Sequence, residues 1–439
     1  MNAQQPNHVF KSGFKLTVGY FRNPLYRNSL FLIADSAVTA GLGFFFWMVV
    51  ARFYNTVDVG YGSATLSAIF LIATLSLLGS NTALIRFLPK AEKPLDMINS
   101  CLTLSSIISL VIAVVFIIGL DIWSPALSFI KQDVIYSSAF ILFTVVATLS
   151  NILDAVFMAK RRADFVLLMD STYSMLKIPL PALLVLFFHS FGIASATGVA
   201  MAIAVALGLF LFVPKTHKNY KPLPTLNKSV LGNLWRYSAG NYLSSIFSSA
   251  SAWVLPILIV NVMGSQQNAY FYITWLLASL LSAIPIATSS SLFVEGSHFD
   301  EDLWLNTGRT LKFTYLLLIP AIVILLLWGN QILTLFGAEY AIHGSALLRI
   351  MAVSSLFVGI NSIYNTILRI ENRIKEVLVI SAFQAIAVLT VSFFIAPKVG
   401  IIGIGYAWFG AQAVVSLYVI IMMIKHNRLR LKKTGQTMD

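Results

Sequence analysis

Charged side chains are scarce in this sequence, and several of them stand inside long apolar runs. Lys177 and Asp170 lie seven residues apart in one such run, near 164–188, with Pro179 just beyond. Asp35 stands in the first run, where Asn28, Asp35, Thr39 and Gly43 follow the spacing of one helical face, and the seventh run answers with Asn241, Ser244, Ser248 and Ala252. A charge at the centre of a bilayer costs about 2.5 to 3.5 kcal/mol on the insertion scale, so such groups seldom persist without a partner or a task. The Lys177 ammonium, about 18 Å into its helix, reaches neither interface in full and needs water, a carboxylate or an anionic ligand. Asp170 offers an ion pair, but two turns put the Cα atoms about 10.5 Å apart, a marginal reach. Asp35, about 9 Å along its helix, is placed to exchange a proton with a cavity. Arg349 lies about two turns into the tenth run, deep enough to need a partner and close enough to snorkel. Asn151, Asp154 and Asn361, with Asn365, sit near run ends beside Lys160 or Arg369, and Arg86 sits at the end of the second run; cavity lining and interfacial anchoring are both open to them.

Much other chemistry is excluded. The dipeptide Gly-Lys is absent, so no P-loop binds a nucleotide. The single Cys101 forbids an internal disulfide and a thiolate cluster, and the six histidines are scattered without an HExxH, so no metal site or cofactor is read. Connections stay within about twenty residues, which leaves no extramembrane domain to hold a catalytic centre, and the expectation is a protein that is not an enzyme.

The elements that position these residues follow from composition. Of 439 residues, 58% are hydrophobic and 11% charged, against about 25% charged in soluble proteins. A span needs about 20 apolar residues, and runs near 29–52, 60–87, 98–121, 134–158, 164–188, 192–213, 237–263, 268–294, 311–336, 344–368, 376–397 and 400–424 predict twelve helices. With both ends on one side, 25 of the 30 basic residues fall on that side, only Arg52, Lys131 and Lys398 on the other, and Lys177 and Arg349 within helices. The positive-inside rule makes that side the cytoplasm. Spread over seven loops and tails, the net charge of +13 reads as topology and not as a nucleic-acid patch. The halves overlay at a shift of about 209 residues, matching Arg27 with Arg236, Tyr61 with Tyr270, Asn151 with Asn361 and Gly192 with Gly400. Six helices per repeat make the repeats parallel, with a central cleft between them. The expected organisation is a cytoplasmic segment 1–28, a first lobe 29–213, a cytoplasmic linker 214–236, a second lobe 237–424 and a basic cytoplasmic tail 425–439. Pro179, Pro181, Pro256, Pro285 and Pro320 are expected to kink or break their helices.

The run FFFWMVVARFYNTVDVGYGSA (44–64), followed by LGSNTALIRFLPK (78–90), resembles the opening helix pair of the polysaccharide-transporter family, the O-antigen-type flippases of the multidrug/oligosaccharidyl-lipid/polysaccharide exporter superfamily. The family pattern, an aromatic helix ending in Ala-Arg, an Asp-Xaa-Gly-Tyr turn and a helix ending in Leu-Ile-Arg, is supplied by Asp58, Gly60, Tyr61, Gly79, Leu84, Ile85 and Arg86. The resemblance implies an all-α membrane protein with two six-helix lobes in a V. It implies a carrier of lipid-linked oligosaccharide across the cytoplasmic membrane, glycan and pyrophosphate in a hydrated cavity and the polyprenyl chain in lipid through a side portal. Lys177 and Arg349 would then face an anionic pyrophosphate. Two readings stand beside it. One is a cation-coupled multidrug exporter of the same superfamily, for which Asp35 and Asp170 would serve. The other is a non-transporting scaffold for glycan-assembly enzymes. Coupling to H+ or Na+, the glycan and the carrier are not readable.

Overall fold

The computed structural model describes residues 24–296 and 303–434. Lys11, Lys15 and Arg22, and the tail beyond 434, lie outside them. Helix accounts for nearly all described residues. The first half holds α1 (Pro24–Phe53), α2 (Thr56–Ser76), α3 (Ser80–Phe87), α4 (Pro94–Ile118), α5 (Val134–Ala159), α6 (Ala163–Leu176) and α7 (Leu180–Leu207). The second holds α8 (Lys228–Met263), α9 (Ser265–Gly296), α10 (Leu303–Thr334), α11 (Ala338–Ile370), α12 (Ile374–Val399) and α13 (Ile401–Thr434).

Among the described residues, eleven helices are long and apolar enough to cross a membrane. The twelfth crossing, expected as one helix over 164–188, is broken at its middle into α6 and the start of α7. Pro179 has no N–H to continue the helix, and Lys177 closes α6 as its C-cap. At the far end of this crossing His189 (φ 42°, ψ −128°) turns α7 into the sixth crossing. The expected span 60–87 is likewise two helices. Leu78 (φ 46°) and Gly79 (φ 78°) take left-handed backbone between α2 and α3, and Gly79 leaves no room for a Cβ beside Ser238. Helix α8 starts at Lys228 and not 237, so the extended part of the connection shrinks to about ten residues ending at Asn227. It docks on α4, where Asn99 Nδ2 donates to the Lys221 carbonyl at 2.9 Å and the Thr225 N–H to Thr103 Oγ1 at 3.1 Å. Pro256, Pro285 and Pro320 sit inside continuous helices.

The repeat is visible in the packing. Helix α1 lies on α6 as α8 lies on α12, and α5 touches α2, α4 and α7 as α11 touches α9, α10 and α13. A ring pair recurs too: Tyr61 meets Phe129 edge-on at 5.5 Å, and Tyr270 meets Tyr340 at 5.7 Å. Side chains such as Leu316, Leu327, Phe394 and Leu417 are exposed on the outside, a belt fit for lipid. Inside, buried Ser67, Thr144, Thr274 and Ser354 return their hydroxyls to carbonyls of their own helices.

Candidate functional site

The broken fifth crossing positions the main candidate. Lys177 is 14 residues past the start of α6 at Ala163 and 12 before the turn at His189, hence about 21 Å from one end and 18 Å from the other. It is 7% exposed. Its ammonium lies 4.3 Å from the ring centre of Tyr173, one turn back on α6, and 5.2 Å from that of Phe46 on α1. It makes no ion pair with Asp170. The ion pairs among the described residues are Asp121–Lys131, Arg162–Asp164 and Arg373 with Glu371 and Glu376, all at helix ends or loops. Asp170 remains within electrostatic reach of Lys177, and also of Asp35 on α1 and Asp154 on α5, because α1 packs along α6. Oδ1 of Asp35 and Oδ1 of Asp154 are buried without a hydrogen-bond partner. The three carboxylates do not converge into a metal-holding cluster.

Shifted by about 209 residues, Asp35, Asp154, Asp170 and Lys177 fall on Ser244, Ile363, Val379 and Ile386, all uncharged. The second half instead holds a neutral amide network. Asn361 Nδ2 donates to Gln412 Oε1 at 2.7 Å, Gln384 Nε2 to the same oxygen at 3.0 Å, and Ser416 Oγ to Asn361 Oδ1 at 3.0 Å. Titratable chemistry is therefore concentrated in one repeat.

The remaining candidates are scattered. Asn151 is exposed and folds back to the Ala147 carbonyl at 2.9 Å. Ser244 is buried with its hydroxyl unpaired, and Asn241, one turn before the Ser245 that bonds its carbonyl, is half-buried. Arg86 is exposed at the end of α3, over the Phe87 ring at 5.8 Å. Arg349 is exposed, and because α11 begins at Ala338 it lies about three turns in, deeper than the sequence indicates. Asn28 does not continue the Asp35 face into a cavity; its Oδ1 accepts from the Ala163 N–H at 2.9 Å and caps α6. Sequence reasoning missed Phe46, Tyr173, Gln384 and Gln412. Tyr173 could have been found from its i, i+4 spacing to Lys177, whereas Phe46 comes from another helix and had no local signal.

Among the described residues, helix α1 joins the second half at one end only. The ring contacts and hydrogen bonds that tie α1 to the second half lie at Phe44, Trp47 and Arg52 near its C-terminus, with Trp47 on Tyr272 at 4.6 Å. Earlier on α1, Leu30, Ile33, Ser36, Ala37 and Gly41 are exposed.

Comparison with solved structures decides the fold. Over 90% of this chain and 87% of that one, the protein superposes on the lipid II flippase MurJ, in its inward closed conformation, with a TM-score of 0.75 at 14% identity. This is the fold of the multidrug/oligosaccharidyl-lipid/polysaccharide exporter superfamily. An inward-facing multidrug resistance MATE transporter of that superfamily matches over 94% of this chain and 96% of its own, at a TM-score of 0.63 and 18% identity. The MATE multidrug transporter DinF-BH gives 0.67 at 13% identity, over 92% and 95%. A putative O-antigen transporter of Shigella flexneri is 22% identical over 168 residues, 38% of this chain and 40% of that protein, so the match spans less than half of its length. No protein-family model matches. The superfamily architecture is a V of twelve helices in two parallel six-helix repeats, and this chain has it, a multi-pass membrane protein of transporter fold.

Proposed function

We propose that this protein is a flippase for a lipid-linked oligosaccharide of the polyprenyl-pyrophosphate type, working in the cytoplasmic membrane for cell-surface polysaccharide assembly. Alternating access comes from rocking residues 29–213 against 237–424. The observation that carries the reading is Lys177, a buried cation at the middle of a broken crossing whose ammonium rests on ring faces and on no carboxylate. Its donors are free for the oxygens of a pyrophosphate, which a lysine holds as a point charge. The sugar hydroxyls, each costing several kcal/mol to strip of hydrogen bonds, stay in the hydrated cleft, and the polyprenyl chain leaves through the open side of α1 into lipid. The charge partition of 25 to 3 supports cytoplasmic termini. Asp35, Asp154 and Asp170 are the groups for coupling to H+ or Na+. Arg86, Arg349, Asn151, Asn241, Ser244 and Asn361 are secondary polar contacts along the path. Glycan-assembly enzymes are natural partners on either side.

The test is transport of a pyrophosphate-linked oligosaccharide lipid in proteoliposomes. Lys177→Ala abolishes flipping while the protein inserts and stays monodisperse, Lys177→Arg retains part of it, and Asp170→Asn costs less than either. Recovery in the Asp170→Asn/Lys177→Ala double variant would make the two groups a structural pair and refute the reading. A multidrug exporter is the second reading, favoured by the three acids that outnumber Lys177 in this half. It predicts the opposite pattern, with dye efflux lost in Asp170→Asn and kept in Lys177→Ala.

A further inference from the structure

The end of the bundle opposite the termini is held shut by polar contacts that cross from one half to the other. The fully buried Asn268, at the start of α9, donates through Nδ2 to the Gly60 carbonyl at 2.8 Å and to Ser63 Oγ at 3.1 Å, both on α2. Asn261, at the end of α8, accepts from the Ala126 N–H at 3.0 Å and donates to Ser124 Oγ at 2.9 Å. Arg52 donates through Nε to the Leu335 carbonyl at 2.9 Å, beyond the end of α10, and Gln266 Nε2 meets Thr56 Oγ1 at 3.3 Å. Two of these contacts satisfy main-chain groups at helix ends and turns, the Ala126 N–H and the Leu335 carbonyl, so parting the seam strands them until water enters.

Gly60 is what lets α2 and α9 touch. A Cβ there would overlap the Ser265 carbonyl and stand 2.9 Å from its Cα, a clash with main chain that no rotamer relieves. Nothing comparable crowds Gly41 or Gly43 on α1, which have no atoms within 4 Å of a Cβ. Other glycines are crowded as well, Gly198 by the Phe143 ring and Gly344 by Thr274 Oγ1, but there the obstacle is a side chain, whereas at Gly60 it is the main chain of Ser265.

We propose that this seam is the gate on the side away from the termini, and that Gly60 and Asn268 set the balance between its closed and open states. The missing side chain at 60 allows closure and the amide at 268 latches it. Neither residue belongs to the charged site around Lys177, so the latch acts whatever the transported molecule is. The experiment measures distances between spin labels at Gln132 and Ile342, exposed positions at this end of the two halves, in the full-length Cys101→Ser protein. Gln132 paired with Leu183, both in the first half, reports whether that half stays folded. The parent gives mainly one short distance across the seam. Gly60→Ala and Asn268→Ala each move the ratio of long to short populations by about tenfold, with the within-half distance unchanged. Asn268→Ala adds no bulk and decides the matter alone if Gly60→Ala loses the within-half distance. A cross-seam distribution unchanged by Asn268→Ala overturns the proposal.

Discussion

Lys177 is stabilised in an apolar interior by the electron-rich faces of Tyr173 and Phe46, with helix α6 ending at the same residue. Cation–π contacts of this kind contribute about 0.5 to 2 kcal/mol each. Tyr173→Phe should therefore leave thermal stability nearly unchanged, and Tyr173→Leu should lower it by about 1 kcal/mol, read by melting in detergent. Equal losses in both variants would show that the hydroxyl and not the ring face matters. Asp35 stands with an unpaired buried oxygen on α1. Asp35→Asn should flatten the pH dependence of transport; parental rates over the whole pH range would leave it only a packing role. At the cytoplasm-proposed end, burial beside Lys160 pushes the His217 imidazole down to about 4, while Thr216 Oγ1 engages its Nδ1 at 2.9 Å. The folded protein thus binds fewer protons here than the unfolded chain, and stability falls as pH drops from about 6.5 towards 4. His217→Asn should remove on the order of 2 kcal/mol of that acid-side loss, measured as the difference between parent and variant melting across the window.

Among the elements, the two broken crossings matter most, because each interrupts the hydrogen-bond ladder of a helix within the bundle. In the fifth crossing the break coincides with Lys177; in the second, Leu78 and Gly79 turn α2 into α3 beside α8, where Tyr242 donates to the Leu75 carbonyl at 2.5 Å. Gly79→Ala adds both a left-handed backbone penalty and a close approach to Ser238, and should destabilise by about 1 to 3 kcal/mol without touching the charged site. A parental melting temperature would mean that the turn can relax to ordinary backbone.

The whole molecule pairs two like-folded halves of unlike chemistry, one carrying Asp35, Asp154, Asp170 and Lys177 and the other a neutral amide network. The acid–lysine set thus sits in one lobe, while the matching positions of the other are uncharged. Its orientation is checked by single cysteines in a Cys101-free background. A thiol at Gln132 should react with an impermeant reagent from outside intact cells and one at Lys221 should not; the reverse result places the termini outside.

Apolar run length fixes the number of crossings, because hydrocarbon thickness admits few alternatives, and an even number per half fixes the parallel repeat. Both were legible in the sequence, as was the depth of Lys177. Helix breaks were legible only in part. Proline marked the one at Pro179, but three other prolines lie in continuous helices, since neighbouring helices and hydroxyls can satisfy the freed carbonyl. What surrounds each charge was not legible. Spacing along one helix put Asp170 at marginal reach of Lys177 and said nothing of Phe46, a residue 131 positions away on whose ring the ammonium rests. The same holds for Gly60 and Ser265, and for Asn361 and Gln412, whose contacts join helices distant in sequence. Periodicity and hydropathy act along one helix, and so the chain alone determines the crossings and their count. Contacts between helices depend on how side chains interdigitate across a three-dimensional interface, which only the tertiary structure decides.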